Sequence, residues 1–67
     1  MKDFSFILYP EAATSRPPFA YALAGSSARD PRRWRIQDGR GDVVGHAPTR
    51  AGARAGVHAL HHATAAA

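Results

Sequence analysis

The stretch WRIQDGRGDVVGHAPTRAGARAGVHALHHA, residues 34–63, decides the fold. It reads as a β-hairpin that runs directly into an amphipathic helix. In Trp34-Arg35-Ile36-Gln37 the residues alternate, with Trp34 and Ile36 on one face and Arg35 and Gln37 on the other, the period-2 pattern of a half-buried strand. Asp38-Gly39 predicts a two-residue type I′ turn, because that turn needs positive φ at both central positions. A longer loop through Arg40-Gly41 is the alternative. The return strand is Asp42 to His46, and Pro48-Thr49 stops it. Thr49 is then placed to cap a helix running from about Arg50 to Thr64. Val57, Leu60 and Thr64, with Ala53 and Gly56 beside them, form the apolar stripe of that helix at i, i+3, i+4 spacing. Arg50, Arg54, His58 and His62 follow one another at i+4 on the opposite face.

Upstream of this stretch, Asp3 to Tyr9 reads as a first strand, with Phe4, Phe6 and Leu8 on one side and Ser5, Ile7 and Tyr9 on the other. A loop from Pro10 to Pro18 follows, stiffened by its proline pair. Phe19 to Leu23 is the second strand, and residues 25–31 form a second loop. The expected architecture is α+β: a small antiparallel β-meander of three to four strands with one C-terminal α-helix packed on one face. It forms a single domain over residues 1–67, with an alanine-rich tail, residues 63–67, that frays. The sheet face away from the helix would carry Ser5, Ile7, Tyr9, Ala20, Ala22, Arg33 and Arg35.

With 67 residues the chain sits near the lower limit for a core that folds without disulfides or metal. Much of its apolar content is alanine, which buries little area per residue. The core is therefore thin, and a second copy of the chain or a larger partner would supply the missing burial. The absence of cysteine excludes a disulfide framework, a thiol nucleophile and a thiolate metal site. The apolar run from Phe4 to Tyr9 is too short for a signal segment, and no run approaches a membrane span. These features lead to the expectation of a cytoplasmic protein with no membrane association.

The formal net charge is +4 and sits in the C-terminal two thirds of the chain, where seven arginines outnumber Asp30, Asp38 and Asp42. A GC-rich coding sequence would give the same arginine, alanine and glycine bias. Arg29, Arg32, Arg33 and Arg35 surround Trp34, and arginines interleaved with an aromatic suit a phosphate backbone and stacked bases. They suit an acidic protein surface equally well. The simplest alternative is a core tryptophan flanked by charges that protect a strand edge. His58 and His62 at i, i+4, with His46 as a third ligand, raise a zinc reading. A solvent-facing polar stripe explains them more simply, and no metal or cofactor is expected. Arg40-Gly41-Asp42 spells an adhesion-type tripeptide, but Gly-Asp is also ordinary turn chemistry. No nucleophile motif surrounds Ser26 or Ser27, no phosphate-cradling loop is present, and Glu11 is the only glutamate. The chain therefore carries no catalytic signature and is expected not to be an enzyme.

The order of elements from Phe19 to Ala63 resembles that of the DNA-binding modules of plant Apetala-type factors and of phage integrase N-terminal domains. In those modules a three-stranded sheet lies in the major groove, so the resemblance implies DNA binding through the sheet. The plan is also similar to small bacterial and phage domains of unknown function, among them single-domain inhibitors of host defence complexes. The sequence as a whole leads to one expectation. It is a small, basic, non-catalytic binding module acting through protein–protein contacts, as would a phage or mobile-element inhibitor of a host nucleic-acid machine such as a CRISPR-type defence complex. Direct DNA or RNA binding through an arginine-rich sheet face is the alternative. The partner is an acidic protein surface or nucleic acid, with a homodimer as a further option. The candidate contact residues are Arg29, Arg32, Arg33, Arg35, Arg50, Arg54, His58 and His62.

Overall fold

Strand pairing begins where the side chains alternate. In the computed structural model, which describes residues 3–66 with side chains to residue 63, the elements are β1 (Ile7–Leu8), a 3-10 helix (Pro10–Thr14), β2 (Ala20–Leu23), β3 (Trp34–Gln37), β4 (Val43–Ala47) and α1 (Arg50–Ala66). The four strands form one antiparallel sheet in the order β1-β4-β3-β2. The α+β architecture expected from the sequence, a small antiparallel sheet with a C-terminal helix on one face, is the one found. Strands β2, β3 and β4 are a meander. Strand β1 enters on the far side of β4, a Greek-key order in which the segment carrying the 3-10 helix crosses to the opposite edge. Only Ile7 and Leu8 of the longer stretch expected from Asp3 to Tyr9 pair as a strand, opposite His46 and Gly45. Pro10 starts the 3-10 turn inside what reads as a loop, at a position where its fixed φ and missing N–H cost nothing.

The β3–β4 connection is the longer of the two loops that the sequence allows. Gly41 is the one described residue with positive φ, +84°, so Gly39 cannot occupy a type I′ turn. Gly41 N–H donates to the Asp38 carbonyl, and Asp38 N–H donates to the Asp42 carbonyl, each at 3.0 Å. This is a three-residue loop closed by a left-handed glycine. Asp38 explains the choice. Its carboxylate is buried, with the residue 6% exposed, and accepts hydrogen bonds from the backbone N–H groups of Arg16 (3.3 Å), Arg40 (3.1 Å) and Asp42 (3.0 Å). Burial pushes its pKa upward, but these donors and the Arg40 charge outweigh that and hold it below the usual carboxylate value. One more irregularity follows. Gly45 stands opposite Ile36 but Val43 stands opposite Gln37, so Val44 is an extra residue. Such a bulge re-aims a side chain, and Val44, 1% exposed, joins the core.

The helix covers the face of the sheet that carries Trp34, Ile36, Gly45 and Ala47. Ile36 (0% exposed) is central, with Phe19, Val44, Ala47, Ala53 and Leu60 around it. Burying such a side chain contributes roughly 1.5–3 kcal/mol. The helix lies close because its inner positions are glycine. A Cβ on Gly56 would come within 2.6 Å of Ile36 Cδ1, and one on Gly52 would collide with the Ser5 carbonyl oxygen. Of the stripe expected from the sequence, Ala53, Gly56 and Leu60 are buried and Val57 is half-buried, while the side chain of Thr64 lies outside the described residues. Thr49 caps the helix as expected: its Oγ1 accepts from Gly52 N–H at 3.0 Å. The same hydroxyl donates to the Asp3 carbonyl, which ties the N-terminal arm to the start of the helix. Among the described residues no helix is long and apolar enough to cross a membrane.

Candidate binding face

The sheet has one covered face and one open face, and strand register fixes what the open face carries. Ile7 lies opposite His46, His46 opposite Arg35, and Arg35 opposite Ala22. These four residues make one row across all four strands, on the side away from the helix. Ile7 is 55% exposed, so this face meets solvent with an apolar group at one end. Arg35 is half-buried, and its Nε is buried with no hydrogen-bond partner. A buried donor without an acceptor costs about 1–3 kcal/mol. Arg35 is therefore held in the middle of the sheet face with an unmet demand for a hydrogen-bond acceptor.

His46 is the cross-strand neighbour of Arg35 on this face. The Tyr9 hydroxyl lies 2.6 Å from His46 Nδ1, and the two rings meet edge-on with centroids 5.5 Å apart. Burial lowers the His46 pKa, the Arg32 and Arg35 charges lower it further, and Asp30 offsets part of that. The lowered pKa keeps the imidazole neutral near pH 7, so it adds no second positive charge beside Arg35. The loop between β2 and β3 supplies the rim. The Ser27 carbonyl accepts from Asp30 N–H (3.2 Å) and the Asp30 carbonyl from Arg33 N–H (3.1 Å), while Asp30 Oδ1 accepts from Arg32 N–H at 2.9 Å. These successive turns, with Pro31 presetting φ in the second, leave the side chains of Arg29 and Arg32 exposed and Arg33 half-buried.

The eight residues singled out from the sequence do not form one surface. Arg29, Arg32, Arg33 and Arg35 belong to β3 and the loop before it. Arg50, Arg54, His58 and His62 are exposed on the outer side of α1, across the thickness of the molecule from Arg35. Arg50 Nε approaches the Tyr21 hydroxyl at 3.4 Å, and the rings of His58 and His62 stack with centroids 6.4 Å apart. Trp34 is not available to stack on a base beside Arg35. It faces the helix side of the sheet, packs against the core and meets Tyr21 edge-on at 5.8 Å. His46, weighed as a third zinc ligand for His58 and His62, is on the open face and His58 and His62 are on the helix. Among the described residues no group of three or more His, Asp or Glu is placed to hold a metal ion.

Two further features of the sequence have structural explanations. Arg40-Gly41-Asp42 lies at the exposed end of the hairpin, but Arg40 folds back. Its Nη2 donates to the Thr14 carbonyl at 2.6 Å and its Nε is 3.7 Å from Asp38 Oδ2. An open cleft of about 680 Å³ separates the 3-10 helix from this hairpin, lined by Tyr9, Glu11, Asp38 and Arg40 among others. Its one strongly held carboxylate, Asp38, is occupied by the backbone donors of the turn.

Sequence reasoning placed Ile7 and Tyr9 on the open face but did not put His46 beside Arg35. The missing signal was register. A two-residue turn at Asp38-Gly39 would set Arg35 opposite Asp42, where an ion pair would satisfy it; the observed loop and the Val44 bulge together set it opposite His46. No family model matches the chain, and neither a curated protein nor a solved structure is similar enough to count as a match.

Proposed function

We propose that the protein is a small non-catalytic binding module that docks onto an acidic protein surface through the open face of its sheet. The observation that carries this reading is Arg35, with a buried Nε that has no partner, in a cross-strand row whose other members, Ile7, His46 and Ala22, are apolar or neutral. Once the half-buried Arg35 side chain turns outward, a carboxylate brought by a partner would meet that donor and gain a charge-assisted, bidentate contact. Ile7, Tyr9 and His46 supply the apolar surround that excludes water from such an anchor. Arg29, Arg32 and Arg33 form a basic rim, which steers an acidic partner and sets register more than it adds affinity.

Nucleic acid is the second reading, favoured by the exposed Arg29 and Arg32 at the rim. Phosphate binding leaves a distinctive signature, since affinity falls linearly in log–log form as salt rises, with a slope that counts phosphates. Binding of poly-L-glutamate and of double- and single-stranded DNA and RNA across a salt series separates the two. The proposal expects poly-glutamate to bind more tightly than any of the nucleic acids at matched ionic strength, and binding to be lost with Arg33→Ala plus Arg35→Ala. Steep, phosphate-counting binding to nucleic acid, lost in the same double variant, would replace the acidic protein surface by a nucleic acid. No binding to any of these probes at low salt would remove the open face as an anionic docking site.

A further inference from the structure

The two edges of the sheet are protected unequally. Edge strand β1 pairs over two residues only, and a short edge is one of the ways a sheet avoids joining another. Edge strand β2, Ala20-Tyr21-Ala22-Leu23, is the less protected of the two. It is four residues long, carries no charge, no proline and no bulge, and pairs with β3 alone in unbroken register. Ala24 N–H donates to the Arg33 carbonyl at 2.6 Å. Continuing that pattern down the ladder turns the N–H and C=O of Ala20 and Ala22 toward β3 and those of Tyr21 and Leu23 outward. Leu23 is 53% exposed.

We infer that β2 is a homodimerisation edge, pairing antiparallel with β2 of a second copy about a two-fold axis at Ala22. The outward groups of Tyr21 would meet those of Leu23 in the other copy, and the reverse, giving four main-chain hydrogen bonds. Ala22 would face its own counterpart as the non-hydrogen-bonded pair, where the Cα atoms approach to about 4.5 Å. Alanine has the smallest side chain after glycine, and it stands where the two chains come closest. On the helix side, Tyr21 of each copy would lie beside Leu23 of the other, an aromatic–aliphatic cross-strand pair, which would cover the most exposed apolar residue of this edge. No charged side chain of β2 opposes another. A symmetric pair of this kind closes on itself and leaves only the short β1 edges.

The second copy is favoured over an unrelated strand because, about an axis at Ala22, every outward main-chain group of Tyr21 and Leu23 finds a partner in the same edge of the other copy and no charges meet. The inference stands apart from the docking proposal, which concerns a face and not an edge. The two meet in one consequence. Joined sheets would form a continuous open face of eight strands, with the two Arg35 side chains three strand spacings apart, about 14 Å.

Solution mass and cysteine cross-linking test this together. The wild-type chain is expected to double in mass as concentration rises, and to do so more readily at higher salt, because each copy carries +4 and salt screens their repulsion. Leu23→Pro removes one outward donor and should shift the equilibrium back to monomer. The chain has no cysteine of its own, so Ala22→Cys introduces a single thiol on the axis, at a separation that suits a disulfide. Incubated with oxidised glutathione, which takes up the two electrons and two protons of the thiol pair, Ala22→Cys should cross-link to a dimer. Ala20→Cys, well away from its counterpart in this register, should not. A wild-type chain that stays monomeric at millimolar concentration overturns the inference. So does equal cross-linking of the two cysteine variants, which needs no Leu23→Pro fold to interpret.

Discussion

The two faces of the same four strands are built on opposite rules. The covered face is assembled from fits so close that a single methyl group would not pass: Gly56 on Ile36, and Gly52 on the Ser5 backbone. Its polar groups are satisfied, as with Thr49, which accepts from Gly52 N–H and donates to the Asp3 carbonyl. The open face is assembled from groups left incomplete. Ile7 is exposed, Arg35 has a buried donor without an acceptor, and His46 is held neutral beside it. In a chain with so little large apolar content, one sheet face is all that the single helix can cover. The other is available for function, and the unmet chemistry collects there.

Substitutions on each face should therefore have opposite consequences, and they test the contrast in order of size. Ile36→Ala removes the central core residue and should cost about 2–5 kcal/mol. A domain of this length has only about 3–10 kcal/mol in total, so a chemical denaturation curve should show the midpoint lowered by a large fraction of its wild-type value. Gly52→Ala gains helix propensity but forces a Cβ into the Ser5 carbonyl. Overpacking of this kind costs about 1–3 kcal/mol, against a gain of roughly 1 kcal/mol, so a net loss in the midpoint is expected. A net gain would show that the helix does not sit as close as described. Thr49→Ala should cost about 1 kcal/mol through the lost cap, visible as a lower melting temperature.

The open face should respond with almost no change in stability. Arg35→Met keeps the stem and removes the unsatisfied donor, so its stability should stay within about 0.5 kcal/mol of wild type or rise. Binding of an anionic probe should nevertheless be lost. If Arg35→Met melts as Ile36→Ala does, Arg35 belongs to the structural side of the contrast. The faintest effect expected comes from His46. Its folded pKa lies below the usual value of 6.5, so the unfolded chain takes up the proton first. Stability is full above about pH 6.5 and falls as pH drops from there toward the folded pKa. Melting temperatures measured between pH 8 and pH 5, wild type against His46→Gln, should show that slope flatten in the variant.

How much of this was legible in the sequence depended on whether a feature was local. Alternation in Trp34 to Gln37, the Pro48-Thr49 boundary and the i, i+3, i+4 stripe gave the sheet, the cap and the helix, because each is decided within a few residues. The strand order and the register were decided elsewhere. Asp38 selects the longer loop by accepting from Arg16, a residue far away in the chain, and the Val44 bulge then shifts the pairing. Asp-Gly is compatible with both loops, so the dipeptide alone could not reveal which residue faces Arg35. The candidate site inherits that gap. The arginines on β3 and on α1 could be counted in the sequence, but only the layer between them shows that they look in opposite directions.

The most direct test of the open face is a residue-resolved titration of isotope-labelled protein with poly-L-glutamate, followed by amide chemical shifts. The account predicts that the largest changes fall on Ile7, Tyr9, Arg35 and His46, with Arg33 at the rim, and that Arg54, His58 and His62 on the helix stay near their free positions. Changes confined to the helix, or spread evenly over every basic residue, would contradict it.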